Sequence, residues 1–424
     1  MRRSRGGSRR ASLLLWLGLL AAYATTLGLA GDATSGARYT APEAHRLLSA
    51  ASIAEDLSLD LTDEYRERAW RAWYPGDLRP TARRIGGRLA EPQGLGLPLL
   101  LAPAYALGGP LLAELLCAAC MALAVVLCVA LARRVVPDPW ASAGALAIGL
   151  SPPVLTAATT ISPAGPGAAL LAAGLLLALM VRDQPRVRWT LGCALCVAVL
   201  PWLGVSLLVP AAVVTVALAR WLRRRQRGLA GFVALEVVLT SAVVFITVNG
   251  RVFGGRLPSA ARAADGPATG AEGPMDYLER LPRLAGVLVD RDVGVLRWAP
   301  VAALALLGLG LLVRSRRARL GRIAPAQVET EVAALALGAV AGAAVLMAGL
   351  VQPDLHGPWL VHHSVAAALP LAGGLVGWGL RHLPRVGASL AAITLAGSVW
   401  LVVGSRLSGS LPWAGLEALL PRFA

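Results

Sequence analysis

The chain has 424 residues, 56% of them hydrophobic, with a mean hydropathy of +0.64 and a formal charge of +16 at pH 7. Hydrophobicity of that order excludes a soluble globular domain. The basic excess is all arginine, with no lysine, and it is bunched at the ends of apolar runs. That is the pattern of positive-inside loops, and it excludes nucleic acid as a partner.

The chain opens with Arg2, Arg3, Arg5, Arg9 and Arg10, followed by an apolar run from Leu13 to Ala30. Ser8-Arg9-Arg10 ahead of that run also fits a twin-arginine signal. The run is long for a signal segment and further spans follow, so it is read as a retained first helix. A spanning helix needs about 20 mostly apolar residues. Continuous runs without apolar/polar alternation predict helices and not barrel strands.

Roughly eleven spans follow from that length rule: Leu13–Ala30, Leu111–Leu131, Trp140–Thr159, Gly165–Val181, Trp189–Leu203, Val205–Ala219, Phe232–Val248, Ala299–Val313, Val332–Val351, Val365–Leu380 and Val386–Val403. The fold class expected is an all-α polytopic membrane protein. Residues 189–219 are long for one crossing and short for two. Pro201 and Gly204 at their middle favour a hairpin, and two crossings leave Arg220, Arg223, Arg224, Arg225 and Arg227 on the cytoplasmic side. Leu95–Gly109 is apolar but short and holds Pro98 and Pro103, so an interfacial or re-entrant segment is expected there.

This topology places the N-terminus in the cytoplasm and the C-terminus outside, in a plasma (inner) membrane. Acids collect in the outside loops, chiefly 31–109, 249–298 and 352–364, while inside connections are short and arginine-rich. His45, His356, His362 and His363 also lie outside. The cysteines Cys117, Cys120, Cys128, Cys193 and Cys196 all fall within apolar runs. Two pairs have C-x-x-C spacing, but no histidine is near, and the reading is small residues on buried helix faces.

Loop one, 31–109, carries the densest group of acids. Thr40-Ala41-Pro42-Glu43 predicts a helix start, with Thr40 as N-cap and Glu43 closing a capping box. Leu47, Leu48 and Ile53 continue an apolar face to about Asp56. Leu57 to Thr62 alternates like an extended segment, and a second helix starts near Asp63. Glu64–Arg68 and Glu67–Arg71 have i,i+4 spacing. Tyr65, Trp70, Trp73 and Tyr74 suit a membrane interface, so amphipathic helices lying on the outer leaflet are expected. A carboxylate here is a candidate general base if partly desolvated and aimed at a hydroxyl. Glu43 is that candidate, against the plainer role of a cap. His45 is an auxiliary candidate or a structural histidine. Asp60 and Asp63 either cap, hold a cation or face solvent.

The residues of loop one resemble those of the multi-span GT-C glycosyltransferases, which use polyprenyl-phosphate sugars (protein O-mannosyltransferase-like and aminoarabinose-transferase-like bacterial proteins). Those relatives read roughly Gly-Asp-Glu-Pro-His-Tyr-Leu-Leu after the first span. This chain reads Ala41-Pro42-Glu43-Ala44-His45-Arg46-Leu47-Leu48. Leu59 to Tyr65, Gly94 to Gly109, Leu200-Pro201-Trp202-Leu203, Asp290 to Leu296 and Gly357-Pro358-Trp359 through His362-His363 resemble further family segments, in the family's order. The family's leading Asp is Pro42 here, its Pro is Ala44, its Tyr is Arg46, and its late-loop Arg is replaced by His362-His363.

The resemblance implies inverting sugar transfer at the outer face from a polyprenyl-phosphate donor to a glycan, protein or lipid acceptor. Glu43 is then the base, and Arg297, His362 and His363 stabilise the leaving phosphate. No compact metal motif is present, and a divalent cation is left open as cofactor. Two alternatives stay open. One is a non-catalytic relative that binds lipid-linked sugar or scaffolds glycan assembly, motivated by Pro42. The other is a transporter or flippase, for which only Glu114 and Glu236 lie within spans, with no repeat between halves.

Overall fold

The computed structural model describes residues 5–29, 38–224, 228–263, 269–271, 273–314, 325–353 and 360–408. Among them every regular element is a helix, and the only extended pairing is two isolated bridges, Ala82–Arg262 and Ile85–Arg88. An all-α polytopic membrane protein is what the long apolar helices require, because in lipid a helix satisfies every backbone polar group within itself.

In chain order the helices are α1 (Arg5–Ala24), α2 (Ala41–Asp56), α3 (Thr62–Glu67), α4 (Gly96–Ala132), α5 (Trp140–Gly149), α6 (Pro152–Thr159), α7 (Ala164–Asp183), α8 (Val187–Leu203) and α9 (Leu208–Arg224). There follow α10 (Gly228–Phe253), α11 (Pro274–Glu279), α12 (Leu281–Val289), α13 (Val295–Trp298), α14 (Ala303–Arg314), α15 (Pro325–Leu346), α16 (His363–Ala368), α17 (Gly373–His382) and α18 (Pro384–Ser408).

Among the described residues, seven helices are long and apolar enough to cross a membrane, and the bent pair α5–α6 makes an eighth if counted as one span. The other predicted spans are helical but shorter or less apolar. The helix α8 has 17 residues, which at about 1.5 Å per residue falls short of the bilayer core. Leu95–Gly109 is helical from Gly96 and runs into the next predicted span without a loop, the two together making the 37 residues of α4. Gly108 and Gly109 have non-helical backbone, so a break separates this segment from the span that follows. Gly109 sits at φ +62°, a conformation glycine adopts without penalty, so the chain turns there.

The centre is α4 packed on α7, with α7 also on α8, α5 on α17, and α10 on α8. Close approach of backbones drives this packing, as small residues do in membranes. A Cβ on Gly144 of α5 would land on the backbone nitrogen of Gly377 in α17. The cysteines fill the same role. All five are free, and Cys193 donates its thiol to the Gly174 carbonyl across α7 and α8 at 3.3 Å.

The break between α5 and α6 bends by 59°, and Thr160 to Pro163 lie between α6 and α7 without helical structure. These breaks leave backbone polar groups to be satisfied from elsewhere. The helix α2 lies along α4 and meets one of them.

Candidate functional site

The loop-one helix α2 begins as its sequence predicts. The backbone N–H and the hydroxyl of Thr40 both donate to Glu43 Oε2, at 2.9 and 2.8 Å. Pro42 occupies the first turn, where no N–H is needed. Glu43 Oε1 accepts the backbone N–H of Ile161 at 2.9 Å. One turn later, Arg46 Nη1 donates to the Ile161 carbonyl at 2.9 Å. Residues three apart share a helix face, so one face of α2 holds both polar groups of a residue in the α6–α7 break. Burial lowers the Arg46 pKa and the charge of nearby Glu43 raises it.

The same break continues into a second polar contact. Pro163, two residues past Ile161, packs within ordinary reach of Gly204. Ser206, two residues past Gly204, shares a 3.0 Å hydrogen bond with His363 Nε2. His362 lies against His363 with ring centroids 4.1 Å apart, and its Nδ1 accepts the Ser364 N–H at the start of α16. On the other side of Glu43, Arg38 pairs with Glu114 at 2.7 Å. Glu114 therefore meets loop one. Glu43, Arg46, His362 and His363 thus belong to one neighbourhood.

His45 faces away from that neighbourhood. Its Nδ1 lies 2.7 Å from the Tyr65 hydroxyl, which donates to Glu91 Oε1 at 2.7 Å. Thr81 donates its N–H and its hydroxyl to the two Glu91 oxygens. This buried network ties α2, α3 and the segment around Glu91 together. Burial pulls the His45 pKa below its ordinary value, while Glu91 acts in the opposite direction. Burial and Glu91 both push the Tyr65 phenol up.

Asp60 is a structural cap. Its Oδ1 accepts the Thr62 hydroxyl at 2.6 Å, the Thr62 N–H at 3.1 Å and the Leu89 N–H at 3.0 Å. Burial pushes its pKa up, but those donors outweigh it and hold it below the ordinary value. Asp63 is exposed and pairs with Arg66 at 2.8 Å. The expected i,i+4 pairs do not form within one helix, because α3 ends at Glu67 and Arg68 takes a left-handed conformation. Arg297, on α13, stacks over Trp298 at 4.5 Å. Among the described residues it has no hydrogen bond or ion pair to Glu43 or either histidine. The segment 354–359, with His356 and Gly357-Pro358-Trp359, lies outside the described residues. No group of three or more His, Cys, Asp or Glu side chains is placed to hold a metal ion among the described residues.

Below this cluster α8, α9 and α10 enclose an apolar groove. One part, of about 650 Å³, is walled by Trp202, Leu208, Ala212, Ser241, Phe245 and Arg256. A second part, of about 520 Å³, includes Leu222, Arg223 and Leu235. Both parts touch Thr215 and Val238, so they form one channel. From Gly228 to Ile246 it follows α10 for about 27 Å at 1.5 Å per residue, close to the bilayer core. The polar cluster does not line it; the two are linked through the chain, Ser206 preceding the lining residue Leu208 by two residues at the Trp202 end.

Three parts of this arrangement escape sequence reading: Arg46, the Tyr65–Glu91 pair and the groove. Arg46 stands where the family has Tyr, a mismatch that marked it as different without giving it a role. Nothing local distinguishes Glu91 from the other loop acids.

No protein-family model matches the chain, and no curated protein matches it. Solved structures do. The crystal structure of ArnT from Cupriavidus metallidurans in the apo state is similar over 96% of this chain, with a TM-score of 0.56 and 16% identity. ArnT bound to undecaprenyl phosphate is similar over 98% of the chain, with a TM-score of 0.51 and 15% identity. The chain shares the overall fold of these two structures. It spans 66% and 68% of those two chains, and the likeness establishes architecture alone.

Proposed function

We propose that this protein is a membrane glycosyltransferase that moves a sugar from a polyprenyl-phosphate donor to an acceptor outside the cytoplasm. The observation that carries the reading is the apolar groove of α8, α9 and α10 with a basic cluster near one end. A long hydrocarbon with one phosphate head matches both parts. The undecaprenyl phosphate held by the structural neighbour is a lipid of this class. Loop one then faces the extracytoplasmic side of an inner membrane, with the N-terminus in the cytoplasm and the C-terminus outside.

In this reading Glu43 is the general base. A carboxylate offers about four lone-pair sites, and Thr40 and Ile161 occupy three of them. The site left on Oε1 accepts the acceptor hydroxyl proton as the oxygen attacks the sugar's anomeric carbon from the face opposite the phosphate. The anomeric carbon–oxygen bond breaks, its electrons stay with the phosphate, and configuration inverts. His362, His363 and Arg297 stabilise the departing anion. Asp60 and His45 organise loop one, and Asp63 stays on its solvent face. A divalent cation finds no compact ligand set among the described residues.

A second reading draws on Pro42 and on the three hydrogen bonds that Glu43 already accepts. A carboxylate so engaged as an anchor suits a non-catalytic relative that binds lipid-linked sugar. Transfer by the purified protein in nanodiscs, offered a panel of polyprenyl-phosphate sugars, separates the two. Product that vanishes in Glu43→Gln with folding intact supports the transferase. Donor binding without product supports the binding relative.

A further inference from the structure

Arg46 is an arginine with too few partners. It is surrounded by protein, with a minor fraction of its surface exposed. A guanidinium carries five N–H donors, and the hydrogen bond to the Ile161 carbonyl uses one. Among the described residues no carboxylate lies within ion-pair distance of it. Glu43 is near enough to act on its charge, but Glu43 is turned to Thr40 and to the Ile161 N–H. The other titratable neighbours that sense Arg46 are His363 and, one residue along α2, His45. Histidines compensate no positive charge. Glu43 offsets the charge without contacting it, and a guanidinium set in protein with most of its donors unused is costly and rarely kept without a use.

The surroundings say what could use the remaining donors. Arg46 holds Ile161, Pro163 adjoins Gly204, and Ser206 bonds His363. These contacts place a fixed guanidinium, an imidazole and a hydroxyl around one break in the helices, near the end of the α8–α10 groove. Arginine pairs with phosphate by two parallel N–H bonds, and four donors of Arg46 remain for that purpose.

We propose that Arg46, together with His363 and Ser206, forms the anion site that receives the phosphate of a lipid whose chain lies in the α8–α10 groove. The polyprenyl nature of that lipid rests on the function proposed above; the demand for a phosphate at Arg46 does not. The positive charge that grips the lipid head comes from loop-one helix α2, so donor binding fastens loop one to the membrane core.

Binding to the full chain in nanodiscs tests this, with undecaprenyl phosphate, undecaprenol and inorganic phosphate as probes. Arg46→Gln keeps an N–H for the Ile161 carbonyl and removes the charge. Arg46→Lys keeps the charge. The expected result is a roughly tenfold or greater loss of undecaprenyl phosphate affinity in Arg46→Gln, with Arg46→Lys retaining most of the binding. Undecaprenol should bind weakly and equally to all three proteins, and inorganic phosphate should compete only at far higher concentration. Unchanged affinity in Arg46→Gln overturns the proposal. So does undecaprenol binding as tightly as its phosphate to the wild type, a comparison that stands even if Arg46→Gln fails to fold. Tight inorganic phosphate binding lost in Arg46→Gln keeps the anion site and overturns the lipid as its source. Binding that depends on Arg46 with no sugar transfer leaves this inference standing and removes the transferase. Transfer with an unchanged donor KM in Arg46→Gln does the reverse.

Discussion

Glu43 Oε1 takes the backbone N–H of Ile161 at 2.9 Å, across 118 residues of chain. A loop-one helix is thereby fastened to the break between two membrane helices. Glu43→Ala leaves that N–H buried without a partner and removes the acceptor of Thr40. A loss of about 1–3 kcal/mol is expected for each unsatisfied group, read as a lowered thermal midpoint in detergent or nanodiscs. Glu43→Gln keeps one acceptor oxygen and should lose less. A Glu43→Ala variant as stable as wild type contradicts the anchoring role.

That link shows where the sequence was legible. Thr40-Ala41-Pro42-Glu43 announced a capped helix because capping is local, and residues 41–56 form it. The partner Ile161 is apolar and its contribution is a backbone N–H, which no side-chain pattern marks. The spans were legible from hydropathy, since length and apolarity are local properties too. The helical form of Leu95–Gly109 was not, because Pro98 and Pro103 read as breakers in one dimension. In the folded chain the break falls at Gly108 and Gly109 instead. Arg46 and Glu91 draw their meaning from tertiary neighbours alone.

Buried His45 gives a pH dependence with a definite sign. Its folded pKa lies below the ordinary 6.5, chiefly from burial, with Arg46 also lowering it and Glu91 opposing. A depressed histidine contributes stability that is complete above about 6.5 and is lost as pH falls through its folded value. Thermal midpoints at pH 7.5 and pH 5 should therefore differ more in wild type than in His45→Gln. Equal acid loss in the two proteins contradicts it.

The groove has a steric test. Ala212 lines the part of about 650 Å³, and a Trp there fills much of the space a chain needs. Ala212→Trp should weaken undecaprenyl phosphate binding without lowering the thermal midpoint. Unchanged lipid binding places the chain elsewhere.

Gly144 and Gly377 allow α5 and α17 to touch. Gly144→Ala forces a Cβ onto the Gly377 backbone, and overpacking of that kind costs about 1–3 kcal/mol. Midpoints of this variant and of Gly342→Ala, where a Cβ meets nothing, should separate clearly. Similar midpoints contradict the close approach.

The most direct measurement is single-turnover sugar transfer by nanodisc-embedded protein from labelled polyprenyl-phosphate sugars, with free polyprenyl phosphate and anomeric configuration both followed. The function proposed here predicts stoichiometric release of polyprenyl phosphate with an inverted product, lost in Glu43→Gln. Donor that binds and stays intact across the whole panel, with folding verified, contradicts it.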